Sequence, residues 1–218
     1  MKYIITILLA FAVVFSYTQE LEFQPQRMIT DFRGVESIGN TILCYGDFGI
    51  ITYSTDLGET WRQINLGDKH NIMKIVVRNG MFYAVSEFSL FKSSDGIKWI
   101  EKNFSDSPDI VSMAMAYDEI FVLAQEAIYK ADTDLNFEKF VDLEEFIYRT
   151  EIQSDSSSLY VLEDNKYILS YNIENLQLDT IKIKQSDFPD DPNKPNVDVE
   201  NILVRDVKVK NNELYFIM

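Results

Sequence analysis

The chain has 218 residues, 46% of them hydrophobic, enough apolar material for a sizeable core. Its formal net charge is −15, and an exterior that acidic repels phosphate backbones, so nucleic acid is excluded as an expected partner. With a single histidine and a single cysteine, neither a His/Cys metal centre nor an internal disulfide can be built.

Residues 1–18 form a distinct leader. Lys2 gives a positive start, Tyr3 to Phe15 is apolar except for Thr6, and compact residues at Val14, Ser16 and Thr18 offer a cleavage site. This is the pattern of a secretory signal peptide. The run is shorter than the roughly 20 apolar residues that span a bilayer, so no transmembrane segment is expected after cleavage. The expected location is outside the cytoplasm: periplasmic, cell-surface or extracellular. No cysteine stands at the cleavage point, which argues against a lipid anchor. The lone Cys44 lies in an apolar stretch and reads as a small buried hydrophobe.

From residue 19 onward the chain alternates short apolar runs with turn residues. Five units are expected, starting near 28, 72, 110, 147 and 202. Each opens with a first strand candidate (28–35, 72–77, 111–116, 147–152, 202–209). A second follows, centred on Leu43, Tyr83, Phe121, Tyr160 and Tyr215. These runs are rich in β-branched and aromatic residues and bounded by Gly, Asn, Asp and Ser, as at Gly39-Asn40 and Asn79-Gly80. Third strands are expected at 50–53, 90–92, 127–130 and 167–170, and fourth strands at 61–66, 99–104, 137–141 and 178–184. Four antiparallel strands in about 40 residues, repeated around an axis, make a β-propeller blade. No segment sustains a helical period, so the fold class is all-β, with about four and a half blades present.

Between the third and fourth strands a motif recurs. Ser54-Thr55-Asp56-Leu57-Gly58-Glu59-Thr60-Trp61 is followed by Ser93-Ser94-Asp95-Gly96-Ile97-Lys98-Trp99, then by Asp132-Thr133-Asp134-Leu135-Asn136-Phe137. The aspartates fall at 56, 95 and 134, a spacing of 39 residues each time. Asp can accept hydrogen bonds from the backbone of a tight turn, Gly58 and Gly96 can take positive φ, and Trp61 and Trp99 can bury a large ring against a neighbouring blade. If fully buried, Trp61→Ala should cost about 3–5 kcal/mol. The motif resembles the Asp-box, or BNR, repeat of sialidase-like and sortilin-like propellers. That resemblance implies a structural role on the rim for Ser54, Asp56, Gly58, Trp61, Ser93, Asp95, Gly96, Trp99 and Asp134. Propeller-shaped photosystem II assembly factors carry similar repeats.

The fifth unit arrives late, after a long loop at 186–200 that holds three prolines and Asp187, Asp190, Asp191 and Asp198. The prolines forbid a central strand. The aspartates match no Ca²⁺-loop spacing, so no metal or cofactor is assigned. Met218 falls in a second strand, which reads as a truncated propeller, with residues 21–24 a possible outer strand for ring closure.

His70 lies in a polar turn and leaves no Ser-His-Asp arrangement to expect. Sialidases, which the motif resembles, grip a carboxylate with three arginines. Here Arg33, Arg149 and Arg205 are the candidates to face a ligand, without an assignable Tyr–Glu pair. The expected function is a secreted, non-catalytic module binding a protein or carbohydrate partner. The alternative is a sialidase-like exo-glycoside hydrolase with part of its active site missing from this chain.

Overall fold

A computed structural model describes residues 31–67, 70–104, 109–143, 148–164, 167–182, 206–210 and 213–217. The leader at 1–18, the loop at 186–200 and Arg205 lie outside the described residues.

The described chain is all-β apart from one short 3₁₀ turn, Asp47–Gly49. Blade 1 consists of β1 (Phe32–Ile38), β2 (Thr41–Gly46), β3 (Ile50–Ser54) and β4 (Arg62–Asn65). Blade 2 consists of β5 (Ile72–Arg78), β6 (Met81–Ser86), β7 (Ser89–Ser93) and β8 (Ile100–Asn103). Blade 3 holds β9 (Ile110–Ala116), β10 (Glu119–Ala124), β11 (Ala127–Ala131) and β12 (Phe137–Asp142). Blade 4 holds β13 (Arg149–Ser154), β14 (Ser158–Glu163), β15 (Tyr167–Asn172) and β16 (Leu178–Lys182), and a hairpin of β17 (Asp206–Lys210) and β18 (Glu213–Ile217) follows.

Every sheet is an antiparallel meander in chain order. The first strands β1, β5, β9, β13 and β17 approach one another in succession. Sheets joined side by side at their inner strands are the blades of a β-propeller. The turn between β5 and β6 shows how locally this is encoded. Asn79 (φ 49°) and Gly80 (φ 73°) both take the left-handed conformation that a two-residue hairpin of matching twist requires.

A blade buries its faces against its neighbours. Leu43, Ile51 and Tyr53 of blade 1 meet Ile75, Phe82 and Phe91 of blade 2. Val85 and Leu90 of blade 2 meet Met113 and Val122 of blade 3. Phe121 and Ile128 of blade 3 meet Ile152 and Val161 of blade 4. Leu162 and Ile168 of blade 4 meet Val207 of the hairpin. Strands packed on both faces need near-continuous apolar sequence, which explains Phe82-Tyr83-Ala84-Val85 and Ile120-Phe121-Val122-Leu123.

Each of the four complete blades also bends its inner strand at one place. The pairing skips a residue between Phe32 and Gly34, between Ile72 and Lys74, and between Arg149 and Glu151. In blade 3, Ile110 and Ser112 pair with successive residues of β10. Such a bulge re-aims the residues beside it.

Candidate functional site

The strand order creates two loop-bearing faces. One carries the turns from first to second strand and the Ser-x-Asp corners from third to fourth. The opposite face carries the turns from second to third strand and the links between blades; we call it the loop face.

The corners are hydrogen-bonded staples. Ser54 Oγ donates to Asp56 Oδ1 (2.7 Å) and accepts from Gly58 N (2.8 Å), while Asp56 accepts from Thr60 N (2.8 Å) and Thr60 Oγ1 (2.6 Å). The Thr60 hydroxyl, then its N–H and the Ser54 hydroxyl, hold the Asp56 carboxyl down to about 2. In blade 2, Ser93 Oγ accepts from Gly96 N (2.8 Å), and Asp95 accepts from Ile97 N and Lys98 N (both 2.8 Å). The Lys98 N–H is the largest cause of the lowered Asp95 titration.

The third corner is built differently from the expected one. Asp134 does not staple its turn; its side chain is largely exposed and meets Lys92 of blade 2 (3.1 Å). Asp132, at the place of Ser54, takes over: it accepts from Asp134 N (2.8 Å), Asn136 N (3.0 Å) and Asn136 Nδ2 (3.0 Å). The Asn136 side chain is the main cause of its lowered titration. In blade 4 Asn172 does the same, accepting from Glu174 N (3.0 Å) and Asn175 N (3.1 Å). The spacing pointed to these positions; the exchange of Ser for Asp or Asn concealed them.

Of the two indoles, Trp99 packs as expected and Trp61 does not. Each Nε1–H bonds the carbonyl of its corner glycine, Trp61 to Gly58 (3.0 Å) and Trp99 to Gly96 (3.1 Å). Trp99 packs on the core between blades 1 and 2, with its ring 6.4 Å from Phe82. Trp61 is not buried: it is 42% exposed.

Near the axis, the bulges bring three blades together. Lys74 of β5 binds Glu151 of β13, two blades away, and donates to Ile152 O (3.1 Å). Ser112 of β9, between them, donates to Glu151 Oε1 (3.0 Å), and Gln153 Nε2 donates to the same oxygen (3.0 Å). Lys74, Ser112 and Glu151 hold matching places just past the bulge in successive blades. Gly34 holds that place in blade 1, where a Cβ would lie 2.2 Å from the Tyr45 hydroxyl. Half-buried Glu36 of β1 has its titration raised by desolvation, against the lowering pull of Lys208 and Lys74.

Of the candidate arginines, Arg33 and Arg149 are described, and each is held by a different partner. Arg149 is not ligand-facing: it is buried, and its Nη2 lies 2.7 Å from buried Glu163. Burying a guanidinium requires such a partner, which explains the pair. Arg33 is exposed and its Nε bonds Asp47 (2.7 Å). Among the described residues no group of three His, Cys, Asp or Glu could hold a metal ion.

His70 gains partners that sequence could not reveal. Its Nδ1 lies 3.2 Å from Ser86 Oγ and its Nε2 3.5 Å from Glu101 Oε1. The order Ser–His–Glu suggests a triad, but Ser86 is wholly buried. Its Oγ accepts from Ser89 N (3.1 Å) and Phe88 N (3.3 Å). It is a turn staple with no access for a substrate.

What the loop face does present is aromatic side chains. Phe32, Phe48, Phe88 and Tyr148 are 43%, 51%, 45% and 62% exposed. Phe32 opens β1, Phe48 and Phe88 occupy the turns after β2 and β6, and Tyr148 precedes β13. Carboxylates stand among them at Asp47, Glu87, Asp109, Glu126 and Asp164.

No family model matches the chain, and no curated protein matches it. Solved structures do match, and they agree on the fold. Virginiamycin B lyase from Staphylococcus aureus superimposes with a TM-score of 0.61 at 12% identity, over 71% of this chain and 56% of that one. BamB from Moraxella catarrhalis gives 0.58 at 13% identity, over 84% and 53%. YCF48 bound to a D1 peptide gives 0.61 at 12% identity, over 88% and 63%. The chain thus spans little more than half the length of the propellers it matches. At such identities the likeness establishes the β-propeller and leaves function to the residues. No helix among the described residues is long and apolar enough to cross a membrane.

Proposed function

We propose that this chain is part of an exported, non-catalytic propeller that binds a protein or carbohydrate partner through its loop face. The observation that carries the reading is that Phe32, Phe48, Phe88 and Tyr148, all from turns or links on that face, are exposed. Large exposed apolar side chains clustered on one surface mark interaction sites. Rigid aromatic rings supply contact area at low entropic cost. Other described polar groups are spent on structure: the corners staple turns, Lys74 and Glu151 tie blades, and Arg33 and Arg149 are paired. The solved structure of YCF48 with a D1 peptide is a precedent for a propeller holding a peptide.

The Ser-x-Asp corners support membership in the Asp-box group, and the apolar leader at 1–18 supports export. The test uses the chain itself. Selection from a displayed random-peptide library and from a glycan array should enrich ligands whose binding falls when Phe88 is replaced by alanine. Turnover of a fluorogenic sialoside, abolished by replacing Arg33, would overturn the reading in favour of hydrolase chemistry.

A further inference from the structure

Blades 1 and 2 carry the best-defined part of the loop face. Phe48 sits at φ 59° and ψ 25°, inside the Asp47–Gly49 turn. An aromatic residue rarely adopts this left-handed conformation; here it belongs to the tight turns, where Leu57, Tyr117 and Leu176 share it. Gly49 beside it (φ 68°) tolerates no Cβ, which would lie 2.4 Å from Gly67 O. The turn is held rigidly: Leu66 N donates to Gly49 O (2.9 Å), and Phe48 N donates to Asn71 Oδ1 (3.1 Å). Phe48 is thereby fixed in place with half of its surface open to solvent.

The same hydrogen-bond chain runs on to blade 2. Asn71 N donates to Glu87 Oε2 (2.8 Å), and Asn71 Nδ2 donates to Glu87 Oε1. Phe88 follows, its carbonyl bonded by Phe104 N (2.9 Å) and its ring 6.5 Å from that of His70. Glu101 stands behind His70 and accepts from Ser89 Oγ (2.8 Å). Two exposed rings therefore stand on a continuous, ordered frame with two carboxylates between and beside them. Among the described residues neither Glu87 nor Glu101 pairs with a lysine or arginine; His70 is the titratable group next to Glu101. Arg33, on this face, is committed to Asp47.

We propose that this surface docks an extended, arginine-bearing peptide segment, with guanidinium groups stacked on Phe48 and Phe88 and compensated by Glu87 and Glu101. Charge complementarity selects the chemistry. The chain carries −15, so a cationic partner is drawn to it and an anionic one repelled. Rings flanked by carboxylates favour a cation over a plain apolar group. Arginine suits the site better than lysine, because its planar, weakly hydrated head stacks on aromatic faces and forks onto carboxylates. The row of contact points from Phe48 through Asn71 and Glu87 to Phe88 suits an extended chain rather than one isolated cation.

The inference rests on the binding-module reading above, and its test separates the two. A fluorescein-labelled, alternating arginine–glycine peptide is titrated against the whole chain by anisotropy, beside lysine–glycine and glutamate–glycine peptides of equal length. The arginine peptide should bind most tightly, and added salt should weaken it. Phe48→Gly removes the ring at a position whose backbone glycine adopts readily; with Phe88→Ala it should lower affinity about tenfold. Tyr117→Ala, an exposed aromatic on the opposite face, should leave affinity unchanged. The proposal is overturned if the arginine and lysine peptides bind alike and Phe48→Gly with Phe88→Ala changes nothing, which would mean attraction to net charge alone. It is equally overturned if the arginine peptide does not bind. A chain that ignores it but selects other peptides from the displayed library keeps the binding-module reading and loses this one.

Discussion

Asp56 is only partly buried, yet three donors around it make its carboxylate far more acidic than an ordinary aspartate. Asp95 and Asp132 are shifted the same way by donors of their own corners. Asp155 is too, since hydrogen bonds led by the Ser157 N–H outweigh its burial. A carboxyl whose folded titration lies below its unfolded one binds its proton first in the unfolded chain. Acid therefore favours unfolding. The contribution of Asp56 is full above about pH 4 and is lost as pH falls toward about 2. Urea midpoints should rise with pH across that window, and Asp56→Asn should flatten the rise. A slope identical to that of the parent chain would refute this role. The serine–aspartate pair was legible in sequence because both residue types staple turns. Asp132 and Asn172 were not, because the equivalence lies in a side-chain oxygen at one position and not in residue identity.

At the scale of the blade, the same corner performs differently depending on what lies beside it. Gly96 lets its turn sit on blade 1: with φ +74°, it leaves no room for a Cβ, which would fall 2.7 Å from Leu43 Cδ2. Trp99 is thereby brought onto the shared core. Around Gly58 the nearest atoms all belong to Trp61 of its own corner. Trp61 packs over that glycine and remains 42% exposed. Trp99→Ala should therefore destabilise by about 2–4 kcal/mol and Trp61→Ala by about 1 kcal/mol, read from urea denaturation. Equal losses would show that the two corners pack alike. The sequence alone assigns both indoles the same burial, because the motif is local and the neighbour is not.

For the molecule as a whole, the decisive contact joins residues 77 apart in the chain. Lys74 and Glu151 are 14% and 18% exposed, and they tie blade 2 to blade 4 past Ser112 of blade 3. Removing one partner strands the other charge in a poorly hydrated place. Lys74→Met should lower stability by about 3 kcal/mol, while Lys74→Met combined with Glu151→Leu should recover most of it. Equilibrium unfolding of the two variants checks this, and a double variant no better than the single one would show that the pair is not coupled. Arg149 makes the same point by contrast. It was a candidate to meet a ligand, and its burial against Glu163 makes it part of the frame.

By itself, the sequence determined that like sheets recur about every 39 residues, that the first two carry a Ser-x-Asp corner, and that the second strand of each is buried. These follow from local patterns: alternation, turn chemistry and a fixed period. Only the tertiary structure decided which corners are covered, which carboxylate staples the third turn, where the arginines go and which aromatic residues reach solvent together. Those outcomes depend on how neighbouring blades meet and where the inner strands bulge, which bring together residues from separate repeats. A sheet carries its own register in its sequence, but what stands across its face is set by the ring.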